Sequence, residues 1–127
     1  MKRSLSSRCE EKVIYAAMVA IQRNGGSMYY KDIIEVLKNN YSFSKWENSV
    51  VGKVGRTRWQ TTLLFFVIHY CMAGFITKKR GIWSITPKGE DAIRNGSFWC
   101  YQQAETAFKK WKLDKKKRAK AMPSNEL

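Results

Sequence analysis

The chain has 127 residues, 44% hydrophobic and 13% aromatic, with 24 basic and 10 acidic residues for a formal net charge of +14. That length admits one small domain with an extension and excludes two large domains. The charge says nothing about fold, but it favours a polyanionic partner, nucleic acid or an anionic membrane surface.

The opening stretch "MKRSLSSRCEEK" lacks the apolar segment of a secretory signal. Cys9, Cys71 and Cys100 are widely spaced, odd in number and form no Cys-x-x-Cys pair. They predict buried thiols in a reducing, cytoplasmic setting rather than a disulfide framework. His69 is the one histidine, so a zinc ligand set is not expected, nor is any cofactor.

"CEEKVIYAAMVAIQRNGG" predicts a first helix. Val13, Ala17, Ala20 and Ile21 follow helical spacing, two glutamates open it, and Asn24-Gly25 stops it. "SMYY" reads as a short extended connector, and "KDIIEVLKNN" as a second helix with Ile33, Ile34 and Leu37 on one face. Ser44 and Glu47 match a capping box, so "SFSKWENSV" is expected to open another helix. "GKVGRTR" then breaks the pattern with two glycines.

From Arg58 to Ala73 a third main helix is predicted. It is polar and basic in its first turn and apolar nearly all round thereafter, the mark of a buried helix. The longest apolar stretch, Leu63–Ile76, has 14 residues, short of the roughly 20 that span a bilayer. Gly74 ends the helix. "FITKK" and "IWSIT" read as strands around an Arg80-Gly81 tip, with Ile82, Trp83 and Ile85 tying the hairpin to the core. Pro87 starts a short helix. A last amphipathic helix spans 98–111, with Phe98, Tyr101, Ala104, Phe108 and Trp111 near one face, before a charged, frayed tail.

A helix pair feeding a β-hairpin is the winged helix-turn-helix arrangement. The expected fold is therefore mainly α with a small β-hairpin and additional C-terminal helices. Residues 1–97 form the winged-helix domain in this reading, and 98–127 the amphipathic helix and basic tail.

"FSKWENSVV", "RTRW" and "AGFITKKRGIWSITPKGE" carry a more specific likeness. Residues 43–90 resemble the N-terminal winged-helix domain of Mrr-type restriction systems. In that family a basic-aromatic pair precedes the recognition helix, here Arg58-Trp59. The helix ends in Ala-Gly, here Ala73-Gly74, and a wing strand follows, here Arg80-Gly81-Ile82-Trp83-Ser84-Ile85-Thr86 with Gly89. The chain departs from the pattern at Thr61-Thr62 and Phe65, where relatives carry a polar-Arg pair and a Trp, so its base preference differs. The resemblance implies double-stranded DNA binding that directs a nuclease domain or subunit to foreign, often methylated, DNA.

Two constellations suit that task. The first is Lys53, Arg56, Thr57, Arg58, Trp59, Gln60, Thr61 and Thr62. Arginine pairs with guanine, glutamine with adenine, and threonine methyls touch thymine or a methylated base. The free N–H groups of a helix N-terminus suit a phosphate. A solvated basic loop explains the same residues, and Trp59 reads either as a base contact or as core packing. The second is Lys78, Lys79 and Arg80 on the wing, poised for phosphate or the minor groove, or placed there to protect a hairpin edge.

The polybasic run Lys109–Lys120 suits either nonspecific phosphate contact or a solvated linker. The aromatic face of the last helix is expected to pack on the domain or on a second copy, which leaves no membrane-binding face. His69 reads as a core or interface residue. No nucleophile motif, Walker-type loop or carboxylate cluster is present, so no catalytic residue is assigned and the chain reads as a binding module. The alternative is a winged-helix interaction or dimerisation module, or a transcriptional regulator without modified-base readout.

Overall fold

Helices pack with a small antiparallel sheet, and the computed structural model describes residues 3–121. The elements are α1 (Leu5–Arg23), β1 (Ser27–Tyr29), α2 (Tyr30–Asn40), β2 (Val50–Val51), β3 (Arg56–Thr57), α3 (Arg58–Met72), β4 (Ile76–Lys79), β5 (Ile82–Ile85), α4 (Pro87–Ile93) and α5 (Ser97–Ala121). One sheet has the order β1-β5-β4, and β2 pairs with β3 in a separate hairpin. Three helices, a strand and a β4–β5 wing make this a winged helix-turn-helix.

α1 begins earlier than its apolar periodicity, at a Ser4 cap whose hydroxyl accepts the Ser7 N–H at 3.0 Å. Val13, Ala17 and Ile21 line its inner face and meet Ile33 and Leu37 of α2 and Leu63, Val67 and Tyr70 of α3, all fully buried. Burying each of these valine, leucine and isoleucine side chains contributes about 1.5–3 kcal/mol. Trp83, Phe75 and Ile76 close the core under the sheet, and Cys100 and Ala104 of α5 complete it. Cys9 and Cys100 are buried, Cys71 is half-buried, and all three are free thiols.

The "ITPKG" stretch explains itself in the packing. The Thr86 hydroxyl donates to the Gly74 carbonyl at 2.5 Å and accepts the Gly89 N–H at 2.9 Å, so one side chain both caps α4 and holds the exit of α3. Pro87 occupies the first helical turn, where its missing N–H costs nothing. Gly89 presses on the chain after α3: a Cβ there would lie 2.2 Å from the Phe75 carbonyl oxygen.

Five expectations are corrected. Residues 45–48 form a turn, not a helix. The capping box does close, with Ser44 N–H to Glu47 Oε1 at 2.8 Å and Glu47 N–H to Ser44 Oγ at 3.1 Å. Lys12 of α1 then holds Glu47 at 3.0 Å and the Ser42 carbonyl at 2.7 Å, and the chain turns into β2 instead of continuing as helix. The glycine-bearing "GKVGRTR" is the turn and second strand of the β2–β3 hairpin rather than an irregular break.

α3 is not buried all round. Phe65 is 67% exposed and Ile68 45% exposed, because α1, α5 and β4 cover only part of its circumference. Ile82 does not tie the wing to the core: it pairs with Tyr29 and Lys79 on the outer face of the sheet, and only Trp83 and Ile85 point inward. The basic run is helical through Ala121 rather than frayed. Residues 122–127 of the expected tail lie outside the described residues.

Candidate nucleic-acid interface

The β2–β3 hairpin sits directly before α3. Val50 pairs with Thr57 and Val51 with Arg56, and the intervening Gly52 and Gly55 have φ of +70° and +76°. Those left-handed turn conformations are accessible to glycine at little cost. Lys53, Val54 and Arg56 are exposed around this tip.

Thr57 caps α3, accepting the Gln60 N–H at 3.4 Å. The Arg58 N–H donates to the Ser49 carbonyl at 2.8 Å and the Trp59 N–H to the Glu47 carbonyl at 3.0 Å. The first three N–H groups of the helix are thus already satisfied by the loop that precedes it. The expectation of free amides for a phosphate at this terminus is corrected on that ground.

Two of the expected readers point inward. Trp59 is 2% exposed and lies parallel to Phe43, and Thr62 is buried on the same side of α3. Neither presents a face to a ligand in this arrangement. Arg58 is half-buried, with its guanidinium 4.7 Å above the Trp46 ring and its Nε donating to Ser49 Oγ at 3.1 Å. It therefore braces the loop. Thr57, Gln60 and Thr61 remain partly exposed.

The wing turns on Arg80 and Gly81, with φ of +52° and +82°, the signature of a two-residue type I′ hairpin turn. Gly81 is needed twice over, since a Cβ there would also come within 2.8 Å of the Tyr29 ring. Lys78, Lys79 and Arg80 are exposed. Lys78 lies opposite Trp83 in the ladder, with its Nζ 5.5 Å from that ring. Burial pushes the Cys71 thiol up, and the Lys78 charge partly offsets this.

The structure therefore groups the cations into two exposed sets, Lys53 and Arg56 on the hairpin before α3 and Lys78, Lys79 and Arg80 on the wing after it. Thr61, Phe65, Ile68 and Met72, spaced i, i+4, i+7 and i+11, run along one line of α3, the helix that joins the two hairpins in the chain. Sequence reasoning missed Phe65 and Ile68 as presented residues. Their helical spacing was visible, but the buried face of α3 is equally apolar and no contrast marked which side is open.

His69 is buried and stacks on Phe108 of α5 with ring centres 3.9 Å apart, and burial holds its pKa below the ordinary histidine value. Glu47 is pushed up by burial, but the Ser44 N–H and Lys12 outweigh that and hold it below the ordinary carboxylate range. Among the described residues, no group of three or more His, Cys, Asp or Glu side chains could hold a metal, and no helix is long and apolar enough to cross a membrane.

The fold and its paired basic elements define a winged-helix module. The chain belongs to the Mrr N-terminal domain family, whose model matches residues 11–95, from α1 to the end of α4. The match is to an N-terminal domain rather than to a nuclease domain. No curated protein and no solved structure shows significant similarity to the chain.

Proposed function

We propose that this chain is a duplex-DNA-binding winged helix, the specificity part of a restriction or defence system that works with a nuclease domain or subunit. The open face of α3 enters the major groove. Lys53 and Arg56 on one side, and Lys78, Lys79 and Arg80 on the other, contact the flanking backbone. The observation that carries this reading is an exposed, uncharged face on a helix that one exposed cationic hairpin precedes and another follows in the chain.

That face is apolar at Phe65 and Ile68, with Gln60 and Thr61 at its leading end. Apolar side chains meet the C5-methyl groups that thymine and methylated cytosine display in the major groove. The proposed readout is therefore of methyl groups more than of hydrogen-bonding edges.

A second reading rests on the same exposed side chains. A helix face with Phe65 at 67% exposure also suits a dimer seam. Charge reversal of Arg56, Lys79 and Arg80, all exposed, separates the two. Loss of duplex binding with an unchanged sedimentation coefficient supports the DNA reading. Unchanged binding, with Phe65→Ser dissociating an oligomer, supports the seam.

A further inference from the structure

α5 has two halves of different character. Cys100 and Ala104 are in the core, and Phe108 stacks on His69. From Lys109 to Lys120 every side chain is exposed. This second half carries eight basic residues and one acidic, Asp114. The apolar stripe that fixes the first half ends at Trp111, which is 39% exposed and stacked on Phe108.

Lys109, Lys112, Lys116 and Lys120 fall at i, i+3, i+7 and i+11, one edge of the helix over about 17 Å. Asp114 lies on the opposite side by the 100° turn per residue. Among the described residues the arm's one ion pair is Lys109 to Glu105 at 3.8 Å. Consecutive lysines on an edge repel one another, each like-charged pair costing a few tenths of a kcal/mol. A helix polar all round and short of compensating pairs gains little from folding alone.

We propose that residues 109–121 are a cationic arm that lies along the phosphates of a nucleic acid duplex, with Lys109, Lys112, Lys116 and Lys120 as the contacting edge. This rests on the DNA-binding reading above and extends the contact beyond the hairpin, α3 and the wing. A duplex is the occupant because regularly spaced phosphates match a regularly spaced edge and relieve its self-repulsion. A bilayer surface would need an apolar side on the arm, and beyond Trp111 only Leu113 supplies one.

The test is the salt dependence of binding to one fluorescent 30-base-pair duplex, for the full chain and three variants. The triple variant Lys112→Gln, Lys116→Gln, Lys120→Gln should lower the log–log slope by about 0.9 per lost contact, about 2.7 in all. The opposite-edge variant Lys110→Gln, Lys117→Gln, Arg118→Gln should lower it less. The hairpin-wing variant Lys53→Gln, Arg56→Gln, Lys79→Gln, Arg80→Gln should lower it independently. All the substituted side chains are exposed, so the fold is retained. Far-ultraviolet circular dichroism of each variant should match that of the full chain, because the arm is helical through Ala121 and the substituted side chains are exposed.

An unchanged slope in the triple variant, with a loss in the hairpin-wing variant, overturns the arm and leaves the winged-helix reading standing. A loss in the triple variant alone upholds the arm and overturns that reading. Equal losses on both edges overturn the one-edge contact. Binding to phosphatidylserine vesicles without binding to the duplex overturns both.

Discussion

The rings of Phe43 and Trp59 lie parallel, 4.3 Å apart between centres, and bury Trp59 beneath the loop that leads into α3. This pairing turns the residue with the strongest look of a base reader into a brace for the helix start. Trp59→Ala should cost about 3–5 kcal/mol in urea unfolding, the usual cost of truncating a large buried aromatic. Trp59→Phe, which keeps a ring on Phe43, should fold and bind duplex with wild-type salt dependence. Lost duplex binding in a folded Trp59→Phe would return Trp59 to the interface.

Arg56 and Arg58 are two residues apart and face different environments. Arg58 sits over Trp46 and bonds Ser49, whereas Arg56 is exposed on the hairpin. Arg58→Ala should lower stability by about 1–2 kcal/mol through the lost cation–π contact and hydrogen bond. Arg56→Ala should leave stability within about 0.5 kcal/mol and reduce the salt slope of DNA binding by about 0.9. Chemical denaturation and salt titration of both variants check the pair, and exchanged outcomes would contradict the placement.

Glu10 is 5% exposed, and its Oε2, like the Tyr70 hydroxyl, has no hydrogen-bond partner. Burial, then the Glu105 charge, pushes its pKa from 4.5 up to about 7, against the pull of Arg3. Tyr70 of α3, raised by burial, and Tyr101 of α5, also raised, feel the same carboxylate. A carboxyl with a raised folded-state pKa holds its proton more tightly in the native state. Stability therefore declines as pH rises from about 4.5 through about 7, because the native chain must lose that proton against its preference. Glu10→Gln should flatten this part of the profile and raise stability at pH 8 by on the order of 2 kcal/mol. Thermal melts from pH 4 to pH 8 read it, and an identical slope in the variant would rule out Glu10 as the source.

Gly89 marks the closest approach of α4 to the segment after α3. An added Cβ would strike backbone at 2.2 Å, and backbone cannot swing aside as a side chain can. Gly89→Ala should cost about 3 kcal/mol. Gly96→Ala meets nothing within 4 Å and should cost only the strain of its φ of +91°, about 1 kcal/mol. Equal losses in the two variants would contradict the packing argument.

The wing was legible because several local signals agreed there. A two-residue Arg80-Gly81 turn, alternation into Trp83 and the Thr86-Pro87 helix start all point to one backbone path. The β2–β3 hairpin was not, since strands of two residues carry no period and its glycines read equally well as a break. The Ser44–Glu47 box shows a local signal overruled: the cap forms, but Lys12 reaches across from α1 and holds Glu47 in a turn. The basic residues of the candidate interface could be named from sequence. Their direction could not, because Arg56 and Arg58 differ only in whether Trp46 and Ser49 lie beneath them.

Under the proposed function, α3 reads methyl groups in a DNA major groove, with the two cationic hairpins on the backbone. The direct measurement is fluorescence anisotropy of the full chain on matched duplexes with and without 5-methylcytosine, at 50 and 200 mM salt. Tighter binding to the methylated duplex is expected at both concentrations, with the ratio retained while both affinities fall steeply with salt. Equal affinity for the two duplexes at low salt, with all binding lost at 200 mM, would contradict it and leave a nonspecific basic module.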